Sequence, residues 1–415
     1  MTSRSRISLF IVLLVGLILR LYWALTAPIQ IDESLYCRAG EQYLIGNYFL
    51  EPNFPEYYNL YTNLEHPPLA KYLLGIPYIQ THSVIASRFV SIFFSLIYLL
   101  SIYLLSKELG GIPFPTTVLA SFEAFTLAIS ATASLEIFFM TFTLLSILSF
   151  IKKKYVLSGI FLGLGIASKW WALYVVLILL SYALLKRTRW KTILTIILIG
   201  AITYILSYSH FILLYGIGIF LWLQNAMFTF FISGTSHSLW SVMRAALAGT
   251  SITLWGLLGS FVQTPNIALY YYGLQEARKK TRTQEFTDWN VLLLIWLTIT
   301  IILGVGFQTI SFHYLLSAIP PLILLSSKNL KTNVIYKIAG FSMAYLMASY
   351  VLPDVPHLGF MSYFQGNTQN LLLFVILTSI IAISILALCI WDFFRDDGWG
   401  ILKLLRKIIA NYIQH

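Results

Sequence analysis

Asp32 and Glu33 stand side by side just beyond a first apolar run from Ile7 to Ala27. Adjacent carboxylates at a membrane surface can solvate a cation, form ion pairs or accept a proton. An inward, partly desolvated Asp32 is a base competent near neutral pH. The plainer reading is an N-terminal pair of acids for the helix that follows. Further on, Glu65-His66-Pro67-Pro68 is a second group of this kind. The two prolines impose an extended approach and then permit a helix to start, which holds Glu65 and His66 rigidly. A carboxylate beside an imidazole can ligate a metal, and a charged imidazole can grip a phosphate. Arg88, Glu136, Lys169 (in ASKWW), His237 (in SGTSHSLWS) and His313 (in FHYLL) complete the set of isolated polar residues set in apolar surroundings.

The elements that carry these residues follow from composition. Hydrophobic residues make up 58% of the 415, and charged residues only 10%. A soluble protein needs about 25% charge to cover its surface. Apolar runs long enough for a bilayer of roughly 30 Å recur near 84–106, 112–130, 134–151, 156–168, 172–185, 192–210, 241–262, 291–306, 314–327, 334–351 and 371–391. With the first run these predict an all-α polytopic membrane protein of about 12 (11–13) transmembrane helices. The first run lacks a small-residue cleavage site, so it reads as a retained span. Residues 1–395 are expected to form one transmembrane unit. The polar loop 28–83 carries the motifs, with interfacial helices over Ala39–Tyr48 and Pro67–Ile76.

Charge gives the orientation. With Arg4 and Arg6 inside and a change of side at every span, 21 of the 27 basic residues and seven of the 16 acids fall on the inner side. The inner loops then carry +14 and the remainder −3, as the positive-inside rule requires. Both termini are expected to be cytoplasmic, and the tail 396–415, containing ILKLLRKII, to be a basic amphipathic helix on the inner leaflet. The net +11 therefore reports topology; no nucleic-acid motif accompanies it. Six basic residues fall outside: Arg20, Arg38, Lys71, Arg88, Lys169 and Arg244. Each either snorkels to the outer headgroups or serves a site. Every candidate side chain falls on this same outer face, which points to an outer active site.

Other classes fall away. Cys37 and Cys389 lie on opposite sides and cannot pair. The glycines of GIFLGLGIAS sit inside an apolar run and suit close helix packing, not a phosphate cradle. A flippase or secondary transporter is the alternative reading. Such proteins usually bind at the bilayer midplane between inverted repeats, whereas this chain has no such repeat and gathers its polar residues at one face. A non-catalytic assembly subunit is a third reading, without a specific feature behind it.

Taken in order, these motifs resemble the C-type (GT-C) glycosyltransferases that use polyprenyl-phosphate sugars, nearest the protein O-mannosyltransferases and the lipid A aminoarabinose transferases. The resemblance covers most of residues 1–325: Asp32-Glu33 after the first span, EHPPLAK closing the first outer loop, ASRFVSIFF with Arg88, Glu136 where Asp is usual, GLGIASKW with Lys169, His237 before Trp240, and FHYLLSAIP. Leu35 stands where the aminoarabinose enzymes commonly carry Arg, and His66 where they carry Lys. The large extracytoplasmic domain of the eukaryotic mannosyltransferases is absent. The resemblance implies an inverting transferase that moves mannose or a similar hexose from a polyprenyl- or dolichyl-phosphate donor to a hydroxyl of a protein, glycan or lipid. It implies Asp32 as base, with Glu33 orienting the loop or acceptor. His66, Arg88, Lys169 and Arg38 would meet the donor phosphate. Glu65 and His237 would hold a divalent metal, and Tyr36, Glu136, Trp170, Trp240, His313 and Tyr314 would line the cleft.

Overall fold

The computed structural model describes residues 3–27, 29, 31–48, 63, 64, 66–186, 190–233, 288–306, 316–329 and 339. Every regular element among them is helical. In chain order these are α1 (Ser3–Thr26), α2 (Ile31–Leu44), α3 (Leu69–Thr81), α4 (Val84–Glu108), α5 (Pro113–Phe122), α6 (Ala124–Ser130), α7 (Glu136–Ile151), α8 (Tyr155–Ser168), α9 (Tyr174–Lys186), α10 (Trp190–Ser207), α11 (Ser209–Ser233), α12 (Asp288–Gly306) and α13 (Ile319–Asn329). A 3-10 turn, Trp170–Leu173, precedes α9.

Helices α1, α4, α10 and α11 are long and apolar enough to cross a bilayer, and shorter apolar helices accompany them in α7, α8, α9, α12 and α13. The chain is thus a multi-helical membrane protein. The spans expected near 241–262, 334–351 (Ala339 apart) and 371–391, and the tail 396–415, lie outside the described residues. The run 112–130 is two helices, because Glu123 adopts an extended conformation (φ −65°, ψ 116°) between α5 and α6. The sequence reading passed over α11, whose 25 residues bend at Gly216 (φ 81°). The helix in the first loop begins at Ile31, not Ala39, which places Asp32 and Glu33 in its first turn.

Lipid-facing positions are plain on the outer helices. Phe10, Ile18, Leu198, Ile202 and Leu213 are exposed, as suits a surface solvated by acyl chains. The core lies where α8 packs between α7 and α10, α4 packs on α7 and α5, and α9 packs on α12. Small residues allow the approach of α8 to α10: a Cβ on Gly159 would sit 2.8 Å from the Ile196 carbonyl, and one on Gly163 would collide with that of Gly200. The glycine-rich run is a packing seam, as its spacing implied. Reciprocal bonds of 2.9 Å from Ser146 Oγ to the Ser158 carbonyl and from Ser158 Oγ to the Ser146 carbonyl clamp α7 to α8. In the first loop, Gly40 of α2 and Gly75 of α3 cross backbone on backbone, with Gly75 Cα 2.9 Å from where a Gly40 Cβ would lie.

Candidate active site

One end of the helix layer collects the C-terminus of α1, both ends of the α2–α3 pair, the N-termini of α4 and α7, and the C-termini of α8 and α10. At its centre is Glu33, 1% exposed. Arg88, in the second turn of α4, donates from Nε to Glu33 Oε2 and from Nη2 to Oε1, both at 2.7 Å. Arg88 Nη1 donates to the carbonyls of Ala24 (2.7 Å) and Ala27 (2.8 Å), which the end of α1 leaves without helical partners. The Ala133 N–H, in the turn between α6 and α7, donates to Glu33 Oε2 at 2.8 Å. One buried ion pair therefore ties the neighbouring ends of α1 and α2 to α4 and to the α6–α7 turn, both distant in sequence. A bidentate guanidinium–carboxylate pair of this kind is geometrically specific as well as strong. Asp32, about 100° round the helix from Glu33, is half-buried.

Three residues beyond Ala133, Glu136 opens α7, where a carboxylate suits the positive end of the helix. It accepts from Lys169 Nζ at 2.5 Å, with both side chains buried. Lys169 leaves the end of α8 in an extended conformation (φ −159°, ψ 129°), its N–H bonded back to the Gly165 carbonyl. That break swings Nζ towards the α6–α7 turn. Trp170 follows it and donates from Nε1 to Tyr204 Oη at 2.7 Å, and Tyr204 donates to Gln224 at 2.5 Å. Trp171 Nε1 reaches Ser317 Oγ at 3.0 Å.

His66 is half-buried, with its ring edge-on to that of Tyr36 at 6.3 Å. The loop that carries it is held by Lys71, wholly buried, whose Nζ donates to the carbonyls of His66 (2.7 Å) and Asn63 and lies 5.4 Å over the Tyr43 ring. Lys71 was visible in sequence as one of six outer basic residues, yet nothing local marks it as a strap for carbonyls five and eight residues back. Arg38 is exposed on α2. Glu65, His237, Trp240, His313 and Tyr314 lie outside the described residues. Among the described residues no three His, Cys, Asp or Glu side chains gather as a metal site. Sequence reasoning also missed the wall where Tyr48 Oη meets Tyr72 Oη and His210 Nδ1 (3.0 Å). Burial raises the pKa of Tyr48 and of Tyr72 above the ordinary phenol value and pushes that of the Cys37 thiol up to about 12.

Residues 65–215 match the family model described as dolichyl-phosphate-mannose-protein mannosyltransferase. No curated protein sequence matches the chain. Among solved structures, ArnT from Cupriavidus metallidurans bound to undecaprenyl phosphate is similar over 96% of this chain and 74% of its own, with TM-score 0.59 and 12% identity. The Archaeoglobus fulgidus oligosaccharyltransferase is similar over 91% of this chain, with TM-score 0.52 and 13% identity. The S. cerevisiae protein O-mannosyltransferase Pmt1-Pmt2 complex bound to the sugar donor matches 52% of this chain, with TM-score 0.42 and 18% identity. The chain spans 34% of the yeast chain and 56% of the archaeal one. The fold is that of the GT-C membrane glycosyltransferases. With the family match, it bears out the resemblance to the O-mannosyltransferase and aminoarabinose-transferase type.

Proposed function

We propose that the chain is an inverting glycosyltransferase that moves mannose or a similar hexose from a polyprenyl- or dolichyl-phosphate donor to a hydroxyl of a protein, glycan or lipid on the outer face of the membrane. The observation that carries this reading is the shared first turn of α2. There Glu33 is locked by Arg88 and Ala133, and the neighbouring Asp32 is half-buried beside it. The family model matched by residues 65–215 is described for a dolichyl-phosphate-mannose donor, and the similar ArnT structure holds undecaprenyl phosphate.

In the proposed step, Asp32 takes the proton of the acceptor hydroxyl as that oxygen bonds to the anomeric carbon. The carbon–oxygen bond to phosphate breaks on the opposite face, and the lipid phosphate leaves with the electron pair. Attack opposite the leaving group inverts the centre, by the logic of single-displacement glycosidases. Phosphate needs no protonation to leave, but its growing charge needs fixed cations in a water-poor site. Lys169 and His66 supply them, and Arg38 meets the phosphate from the exposed side of α2. Arg88 acts by fixing Glu33, and Glu33 by fixing the turn that presents Asp32. Glu136 orients Lys169. Tyr36 and Trp170 line the cleft, together with Trp240, His313 and Tyr314 from beyond the described helices. Glu65 and His237 are the pair that would hold a divalent ion. Residues 1–395 act as one transmembrane unit with cytoplasmic termini, and the tail 396–415 rests on the inner leaflet.

The test is transfer of labelled sugar from a panel of polyprenyl-phosphate donors, wild type against Asp32→Asn. We expect turnover to fall at least ~100-fold. An Asp32→Asn protein with wild-type turnover would remove the base assignment, and the donor panel separates mannose from other sugars.

A further inference from the structure

One helical turn before Ala24, Arg20 is wholly buried among α1, α5 and α6. Its Nε donates to Ser130 Oγ at 2.8 Å, and its Nη1 to the carbonyls of Gly16 (3.1 Å) and Ser121 (3.2 Å). Its Nη2 is buried without a hydrogen-bond partner, and so are the hydroxyls of Tyr98, Ser121 and Thr126. These orphans share one neighbourhood. Ser121 Oγ and Arg20 Nη1 both crowd the side of Gly16 where a Cβ would point. Glu123 is the acid whose field reaches both Arg20 and Tyr98, and Thr126 lies beside Tyr98. The Thr126 N–H donates to Glu123 Oε2 at 2.6 Å. Arg20 directs its hydrogen bonds to Ser130, Gly16 and Ser121, not to Glu123.

Glu123 and the four residues with orphaned atoms are all 1% exposed or less. Buried polar groups nearly always have partners, and a cluster of several such groups is the kind of place where an internal water makes two to four bonds. An isolated cation deep in a helix bundle is also costly unless paired. Glu123 stands at the extended break that stops α5 and starts α6.

We propose that Arg20, Glu123, Tyr98, Ser121 and Thr126 form an internal water-binding site inside the membrane-embedded bundle. Ordered water links Arg20 Nη2 to Glu123 and thereby fixes the α5–α6 break against α1. The ligand is water, held by one guanidinium, one carboxylate and three hydroxyls. The site is independent of the reaction proposed above.

The test is a double-mutant cycle on the full-length protein in detergent, read as thermal midpoints. Arg20→Met and Glu123→Gln are each expected to lower the midpoint by roughly 5 °C or more, and the double variant by clearly less than their sum. In a Tyr98→Phe/Thr126→Val background that coupling is expected to fall by half or more. Strictly additive singles would overturn the pairing, and coupling untouched by the background would overturn the water bridge. If Arg20→Met fails to accumulate, a high-resolution map of the wild type decides the matter. Density for water within hydrogen-bond distance of Arg20 Nη2 supports the site, and a direct Arg20–Glu123 contact refutes it.

Discussion

Glu33 and Arg88 face each other through two parallel 2.7 Å hydrogen bonds, both side chains 1% exposed, across 55 residues of chain. Only a guanidinium presents two donors in this fork, and Arg88 uses the same plane to hold the end of α1. Replacing Arg88 with Met leaves a buried carboxylate uncompensated, at a cost of about 3–5 kcal/mol. Arg88→Lys keeps the charge but loses the fork. We expect both variants to unfold earlier on heating in detergent, Met more than Lys, and sugar transfer to drop in both. A lysine variant with the wild-type midpoint would show that the fork geometry contributes nothing.

Lys169 and Glu136 offer a way to separate stability from chemistry. Either single substitution, Lys169→Met or Glu136→Met, strands one buried charge. The double variant removes both and is expected to be more stable than either single. It should nevertheless remain inactive, because the cation meant for the donor phosphate is gone. Recovery of transfer in the double variant would show that Lys169 serves only as a partner for Glu136.

Lys71 holds the loop behind the Pro-Pro motif by its Nζ bonds to the His66 and Asn63 carbonyls. Lys71→Met takes the charged donor from both carbonyls, a loss of about 1.5–3 kcal/mol for each bond, and leaves the Asn63 carbonyl to the longer bonds from the His66 N–H and Tyr43 Oη, both 3.4 Å. The expected result is faster backbone hydrogen exchange over residues 63–66 and a raised KM for donor. Unchanged exchange there would exclude the strap.

Gly40 admits no side chain where α2 crosses α3. A Cβ would collide with the Lys71 carbonyl, and this contact is backbone, which has no rotamer to yield. Gly40→Ala should therefore disturb the α2–α3 pair, lowering transfer at least ~10-fold with a midpoint loss of several degrees. An alanine variant with normal activity and midpoint would mean that the helices can separate freely.

Cys37 supplies a pH prediction. Burial lifts its thiol to about 12, from an ordinary value of 9. A raised pKa in the fold means stability is full below the unfolded value and declines as pH climbs from about 9 towards 12. In a Cys389→Ser background, native protein at pH 8 should resist maleimide, and Cys37 should label on unfolding. Rapid native labelling would contradict the burial.

The helical spans were legible in sequence because a bilayer imposes a local, length-based requirement on each segment. The crossing of α8 with α10 was legible for a related reason, since small residues at a regular spacing admit one kind of neighbour. Helix α11 was passed over despite its apolar residues. The two-helix character of 112–130 was also hidden: one carboxylate, Glu123, interrupts the run, and hydropathy cannot say whether a polar residue ends a helix or is paired within it.

The sequence by itself determined a helical membrane protein, and it singled out Asp32, His66, Arg88 and Lys169 as polar residues in or just outside helix ends. Hydropathy and charge are properties of segments, so they can be read without knowing neighbours. Only the tertiary structure decided who partners whom: Glu33 with Arg88, Glu136 with Lys169, Lys71 with the loop before it, and Arg20 with Ser130 and the Ser121 carbonyl. A buried charge in a bundle is tolerated only against a specific opposite group or a set of dipoles. That group comes from whichever helix happens to pack alongside, often more than thirty residues away, and no local pattern in the chain names it.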